Sequence, residues 1–370
     1  VMDVQLKKEY RIGGLANVEV GAGTADRYLA RLFALRFSDH SRVALYGNVN
    51  NLNDYRVPGE KGEWSPLTQS QGLTSQARVG ANFRTEREDH YRYEGSLNAT
   101  YSDKNDANNT SSATFLDDGS TYGRSFWQKR SYDWQIDSKH RYYCYHREPI
   151  GDFLKYVQMS IEPQFSYLKW NNHTESASAT LSDDVAERWG KAWMDSLQAP
   201  NAGDLLRRYA INRNQSRTKG VGHYLNTGGS GYLSISPAHN DFIDFFTTFN
   251  FQYTDRNEDA FDHNLYTPTT RRTTNFNISP QLSCAFDEKH RHNLIAQYAY
   301  TYNHSYNNSP LYLLNKLSDW NNTERLGSLP SMDEMLTTLD THNSSRQRTT
   351  THSHTPRIGY RYAKSDESAY

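Results

Sequence analysis

The chain has 370 residues, of which 36% are hydrophobic and 13% aromatic, and its mean hydropathy of -0.90 leaves too little apolar surface for a large dry core. Its 27 tyrosines, 15 phenylalanines and 7 tryptophans argue against disorder, because disordered chains are poor in aromatic residues. The 41 Lys and Arg balance the 42 Asp and Glu, so no net charge favours nucleic acid, and no stretch approaches the ~20 apolar residues of a membrane-spanning helix.

The elements predicted along the chain are long strands, because apolar and polar side chains alternate in them. In YRYEGSLNATYS (91–102), Tyr91 and Leu97 share one parity, whereas Glu94 and Asn98 share the other. Successive side chains of a strand point to opposite faces, so the two kinds of residue are separated. The pattern recurs and predicts about twelve antiparallel strands, over 14–23, 27–37, 42–50, 76–85, 91–102, 125–147, 153–169, 219–236, 241–254, 271–286, 292–305 and 349–364.

The connections between these strands alternate between short and long. The short ones are charged turns, and the long ones are polar loops, so one edge of the sheet is tight and the other is elaborate. The short GAGTAD connection (21–26) is the exception on the elaborate edge. The predicted turns are 38–41, 86–90, 148–152, 236–240 and 287–291, and the predicted loops lie near 51–75, 103–124, 170–218, 255–270 and 306–348.

Two of the long loops are predicted to contain short helices. Ser182 can cap a helix that begins with two aspartates and carries an apolar stripe over 183–197. Ser331 and Glu334 form a capping-box pattern ahead of MLTTLD. We expect both helices to fold over the elaborate edge.

The length and two-sidedness of the strands favour a membrane barrel over a soluble sandwich. Soluble strands average about 5–6 residues, whereas a transmembrane barrel needs about 9–11 per crossing, with apolar side chains toward lipid and polar ones toward a watery lumen. We therefore predict an all-β fold, an antiparallel up-and-down transmembrane β-barrel of which about twelve strands are present. Short turns would be periplasmic and long loops extracellular. The residues expected to face the lumen are Arg78, Asn82, Arg84, Arg92, Glu94, Asn98, Glu162, Gln164, Asn250, Asn277 and Gln281.

Two segments near the start of the chain resemble a known family. VMDVQLKKEY (1–10) looks like the closing strand of the plug domain in TonB-dependent receptor-like outer-membrane β-barrels of the Bacteroidota type. The segment from GLANVEV to NNLND (14–54) is similar to that family's first barrel strands. The resemblance implies that residues 1–12 end a plug domain, that 13–370 form an incomplete barrel, and that most of the plug and the later strands lie outside this sequence.

The same resemblance implies a transport function in the outer membrane of a Gram-negative cell. The protein would bind a scarce large nutrient, such as a siderophore, cobalamin, glycan or peptide, and import it through the plugged barrel. Expected partners are outer-membrane lipid, the nutrient, the TonB complex through a segment ahead of residue 1, and a surface lipoprotein; nucleic acid is not expected. A passive outer-membrane channel or surface adhesin stays open as an alternative, and so does a secreted soluble β-protein that binds glycans.

The sequence offers no good catalytic constellation, and we expect no enzyme activity, cofactor or metal. His352 and His354 lie on one face of a strand, but with no third ligand near them we expect polar lining rather than a metal site. Tryptophans in or beside the long loops offer rings on which a sugar or a planar ligand can stack, although two of them, at 189 and 193, also suit inward packing of the predicted helix. These ligand-binding candidates are Trp170, Trp189, Trp193 and Trp320.

Overall fold

A computed structural model describes residues 12–59, 64, 73–87, 90–116, 119–146, 154–182, 210–237, 241–262, 264–286, 291–317 and 331–362. Most of these residues form one antiparallel sheet. Its strands are β1 (Gly13–Ala22), β2 (Tyr28–Phe37), β3 (Ser41–Asn50), β4 (Leu73–Arg87), β5 (Tyr91–Leu116), β6 (Gly119–His146), β7 (Leu154–Leu181), β8 (Ala210–Pro237), β9 (Phe242–Asp262), β10 (Leu265–Phe286), β11 (His292–Ser309), β12 (Tyr312–Leu313) and β13 (Ser345–Tyr362).

Each strand pairs with the next one along the chain, from β1 through β11 and then β13, while the two-residue β12 pairs with β10. All of these pairings are antiparallel. Within the described residues β1 and β13 do not pair with each other, so the sheet is open. The predicted all-β, up-and-down antiparallel fold is confirmed.

The register sorts the side chains onto two faces, because residues directly opposite each other on paired strands lie on the same side. One face carries Glu94 opposite Arg141, and we call it the polar face. The other carries Leu97, which lies opposite Ala81 on β4, and we call it the apolar face. Some strands also carry apolar side chains on the polar face, as β2 does with Phe33 and Leu35.

The middle strands are much longer than the sequence predicts. β5 has 26 residues, and β6, β7 and β8 have 28 each, which at ~3.3 Å per residue is about 90 Å. The segments predicted as loops near 103–124 and 255–270 are largely the far ends of two hairpins, β5–β6 and β9–β10. Their residues are polar on both faces, so they lack the alternation that marks a half-buried strand, yet the backbone ladder continues through them.

The β1–β2 connection is a tight turn in which two residues adopt the left-handed conformation. Ala25 and Asp26 have φ of 57° and 56°, and the Gly23 N–H donates to the Arg27 carbonyl over 2.8 Å. Positive φ at both central residues matches a type I′ turn, whose twist suits a hairpin. This is the predicted short connection on the elaborate edge.

One predicted helix lies in the described residues. Helix α1 (Met332–Leu336) begins at Ser331, whose hydroxyl accepts from the Glu334 N–H, while the Glu334 carboxylate accepts from the Ser331 N–H over 2.9 Å. The predicted capping box is confirmed. Together with a 3-10 turn at Leu314–Lys316, α1 covers the ends of β9 and β10 in a small apolar core that comprises Phe261, Tyr266, Tyr312, Leu314 and Met335. The helix predicted over 183–197 lies outside the described residues.

Candidate functional site

The polar face brings together all eleven residues that the sequence predicts to face a lumen. The register runs directly across the strands, so that Arg84 lies opposite Glu94, and Glu94 lies opposite Arg141. Further along the sheet, Asn250 lies opposite Asn277. That these side chains share a face is an observation, and that this face encloses water stays a prediction. The residues are Arg78, Asn82, Arg84, Arg92, Glu94, Asn98, Glu162, Gln164, Asn250, Asn277 and Gln281.

Near the short turns, this face carries a band of paired charges. The Arg84 guanidinium lies 3.7 Å from the Glu94 carboxylate, and Arg141 Nε lies 3.1 Å from Glu162 Oε1. The side chains are 30–50% exposed, so each pair contributes only about 0.2–1 kcal/mol to stability. Because each carboxylate has a guanidinium neighbour, the band suits a charged wall better than an acid and base pair.

Across β2 and β3, the polar face is covered by residues that follow β3. The Asp54 carboxylate is buried and pairs with the Arg31 guanidinium, which also bonds Glu19 over 2.9 Å. Arg56 Nε donates to Asp54 Oδ1 over 2.8 Å, and the Arg31 guanidinium lies 4.9 Å from the centre of the Trp64 ring. The two arginines therefore share one buried carboxylate.

Asparagines fix this covering segment to the sheet. Asn50, fully buried, accepts from the N–H groups of Leu52 and Asp54 over 3.0 and 3.1 Å, and its amide donates to the Asp54 carbonyl over 2.9 Å. Asn53 has a positive φ of 58° and accepts from the Thr74 N–H over 2.7 Å. The sequence analysis missed this cluster. The density of Asn and Asp in NVNNLND, directly after a strand, was the available signal.

A cavity lies on the polar face toward the long loops, and we call it the Trp170 cavity. Its volume is about 680 Å³. Trp170 lies within β7 rather than in a loop, and its ring rests against Gly222 on β8. The cavity is lined by Tyr55, Leu73, Thr74, Gln76, Arg78, Thr100, Ser102, Lys104, Asn105, Asp106, Lys129, Ser131, Asp133, Gln135, Leu168, Trp170 and Asn172.

Of the four predicted aromatic ligand contacts, the structure describes only Trp170. Trp189, Trp193 and Trp320 lie outside the described residues. Trp170 therefore becomes the one aromatic candidate whose surroundings are known, and it is joined there by polar side chains from β4, β5 and β6 that the sequence analysis did not connect with it.

The expectation that two histidines of β13 line the polar side is wrong. His352 lies opposite Tyr302 and His354 lies opposite Tyr300, and these tyrosines belong to the apolar face. The Tyr298 hydroxyl lies 2.6 Å from His354 Nδ1, and the Tyr300 hydroxyl lies 3.0 Å from His352 Nδ1. The i, i+2 spacing did place both imidazoles on one face, but alternation inside a Thr- and Ser-rich strand did not reveal which face.

Two further observations bear on function. In the described part of the chain, no group of three or more His, Cys, Asp or Glu could hold a metal ion, and no helix is both long and apolar enough to cross a membrane. In comparisons with known proteins, no protein-family model and no curated protein matches the chain.

Proposed function

We propose that this chain is part of the wall of an outer-membrane β-barrel transport protein, with the apolar face toward lipid and the polar face toward an aqueous passage. The observation that carries the proposal is a band of exposed apolar side chains on the apolar face. It extends from β1 to β13, so it is a property of the sheet rather than of one strand.

The size of this apolar band distinguishes a lipid-facing surface from the ordinary surface of a soluble protein. Its members are 37–84% exposed, and contiguous apolar surface of this extent is rare on soluble monomers, whereas a lipid-facing barrel requires it. The band includes Val18, Val20, Leu32, Val43, Leu45, Val49, Val79, Leu97, Ile136, Ile161, Phe165, Ile243, Phe245, Phe249, Leu282, Leu294, Ile358 and Tyr360.

The opposite face supports a watery interior. Its charges are paired across neighbouring strands, and its amide and hydroxyl groups bond each other, as the Asn277 amide does to Thr301 over 2.9 Å. A dry sheet-on-sheet core would require apolar residues there. In lipid, only strands whose backbone is fully paired are stable, and this ladder is continuous over twelve strands.

The strand lengths indicate which edge of the sheet faces the periplasm and which faces the outside of the cell. A bilayer has a hydrocarbon core about 30 Å thick, which the ~90 Å middle strands exceed about twofold even when tilted by ~45°. Outer-membrane barrels keep short turns at the periplasmic edge and elaborate structure outside. On this basis the short connections that the sequence predicts at 38–41, 86–90, 148–152, 236–240 and 287–291 face the periplasm. The far ends of β5 to β10 stand outside the cell.

The transport step is proposed to be TonB-dependent import of a scarce large nutrient, as the resemblance of residues 1–54 implies. A passive channel or adhesin would use the same wall without an energy source. Uptake of the nutrient in cells with and without a functional TonB motor separates the two, because only energised import stops when the motor is lost.

The membrane location is tested first by cell fractionation of the intact protein. We expect it in the outer-membrane fraction, extracted only by detergent, with the slower gel mobility on heating that is typical of β-barrels. Recovery from the aqueous fraction without detergent would overturn the membrane assignment and favour a secreted β-protein.

A further inference from the structure

We propose that the Trp170 cavity is a binding site for a neutral saccharide on the inner wall of the barrel. The proposal rests on the proposed function for the direction in which the saccharide moves, but not for the binding itself. It names a substrate class for one site, and it is carried by an aromatic ring and an unpartnered amide on one face of the sheet.

The aromatic ring is held in place by a glycine on the neighbouring strand. The ring of Trp170 rests against Gly222, where any larger residue would displace it, and the ring also lines the cavity. A tryptophan packed on one side and open to a cavity on the other presents a rigid, flat apolar surface. The C–H faces of a pyranose ring stack on such a surface, while the sugar hydroxyls stay free to form hydrogen bonds.

The unpartnered amide belongs to Gln76 on β4. Its side chain is only 2% exposed, and within the described residues neither its amide nitrogen nor its amide oxygen has a hydrogen-bond partner. Buried polar groups in folded proteins almost always have partners, so this pair needs one. An amide offers donor and acceptor side by side, and sugar hydroxyls supply both complements.

The other polar groups suit a neutral ligand. Lys104 Nζ lies 3.4 Å from Asp133 Oδ2, and Asp106 lies directly opposite Lys129 on β6. The remaining cation, Arg78, donates to the Tyr55 carbonyl over 3.0 Å. The charges of the lining are therefore largely matched within the wall, whereas an anionic ligand would need a surplus of uncommitted Arg or Lys.

The hydroxyl groups and the volume agree with this assignment. Thr74, Ser102 and Ser131 line the cavity and are each buried. The volume of about 680 Å³ is within the range of ~300–1,000 Å³ for small-molecule sites, which accommodates a short oligosaccharide.

The test measures binding to the intact, detergent-solubilised protein by isothermal titration calorimetry. The probes are hexasaccharides of glucose (α- and β-linked), mannose and xylose, with trialanine and citrate as non-saccharide probes. We expect at least one hexasaccharide to bind. Trp170→Ala should raise its Kd about tenfold or more, Trp170→Tyr should restore part of the affinity, and Gln76→Leu should raise the Kd several-fold.

The matched control is Trp134→Ala. Trp134 lies on the apolar face of β6, is 54% exposed, and should leave the Kd unchanged. Heat-modified gel mobility checks that each variant is folded. The proposal is overturned if no hexasaccharide binds at millimolar concentration, or if trialanine or citrate binds instead. It is also overturned if Trp134→Ala weakens binding as much as Trp170→Ala. If Gln76→Leu leaves the Kd unchanged, the Gln76 amide does not contact the saccharide, and the proposal is likewise overturned.

Failure of this site and failure of the proposed function give different results. A protein that fractionates with the outer membrane but binds no saccharide loses only this inference. A protein that is soluble without detergent and still binds a hexasaccharide through Trp170 keeps the site and loses the membrane assignment.

Discussion

The sheet has a short sector, β1 to β3, and a tall sector, β5 to β8. The two sectors differ in what covers their polar face. Strands of the short sector have 10 residues each, and their polar face is filled by the chain itself, through Phe33, Tyr46 and the buried Arg31–Asp54 pair. Strands of the tall sector have 26–28 residues, and the polar face of β5 to β7 borders the Trp170 cavity. The polar face of the short sector is therefore largely covered by the chain, whereas that of the tall sector can contact a ligand.

The largest expected effect on stability comes from a substitution at the buried carboxylate of the short sector. Asp54→Asn leaves two guanidinium groups close together in a buried site, and we expect the free energy of unfolding to fall by about 3–5 kcal/mol. Glu19→Gln removes the other partner of Arg31, but Glu19 is 51% exposed, so the expected loss is below about 1 kcal/mol. Urea unfolding of the intact protein in lipid vesicles measures both, and equal losses would show that burial does not set the strength of this network.

The next effect concerns the two faces of β9. Phe249 lies on the apolar face and Thr248 lies on the polar face between Ser230 and Ser279. If the apolar face contacts lipid, Phe249→Arg should cost about 2–4 kcal/mol near the middle of the bilayer, whereas Thr248→Arg should be mild. Similar losses in the same vesicle assay would contradict the assignment of faces.

A smaller effect is expected where ring and glycine meet in the tall sector. A Cβ at Gly222 would collide with the Trp170 ring, so Gly222→Ala should cost about 1–3 kcal/mol through displacement of the ring. At Gly231 on the same strand, a Cβ would lie 3.4 Å from a methyl group of Thr247, so Gly231→Ala serves as the control. The comparison is made by thermal unfolding in detergent, and a larger loss at Gly231 would refute this packing.

The smallest effect is a pH dependence confined to helix α1. The Ser331 hydroxyl and backbone N–H hold the pKa of the Glu334 carboxyl below its ordinary value of 4.5. A lowered pKa in the folded state means that this contribution is complete above the ordinary pKa and is lost as pH falls through the lowered one. Amide exchange in 332–338 should therefore become faster, relative to neighbouring segments, only in acid.

Ser331→Ala provides the control for this pH effect. Without the hydroxyl, the capping box cannot form, so exchange in 332–338 should already be fast at neutral pH and should lose most of its extra acid dependence. An unchanged acid dependence in Ser331→Ala would place its origin elsewhere.

The sequence predicted the parts of the fold in which a strand must present an apolar face on one side and a polar face on the other. Where one face is apolar and the other polar, as around Leu97 and Asn98, alternation located the strand and separated its faces. It failed for the far ends of the hairpins, because residues such as Asn109 and Ser112 are polar on both sides, so that the strand is marked there by its backbone pairing and not by alternation.

The candidate site was only partly predictable for a related reason. The lumen-facing residues share a face because parity is local, and Trp170 could be chosen because it stands beside a predicted long loop. What brings Gln76 to Trp170 is the register of four strands, β4 to β7, and a register depends on turn lengths and pairing over about a hundred residues. The position of Asp54 under Arg31 depends on a loop that folds back, which alternation does not describe.

Among the described residues, β5 extends beyond the end of β4, and one side of that extension has no neighbouring strand. Within the described residues, β4 accompanies β5 only as far as Asn105, and from Asp106 to Leu116 the hydrogen-bonding groups of β5 have partners on β6 alone. Amides that point toward β6 are tied to it, and those that point away have no partner strand among the described residues. Hydrogen–deuterium exchange in this stretch should therefore be fastest at every second residue, and the pattern would identify which amides lie at the edge of the sheet.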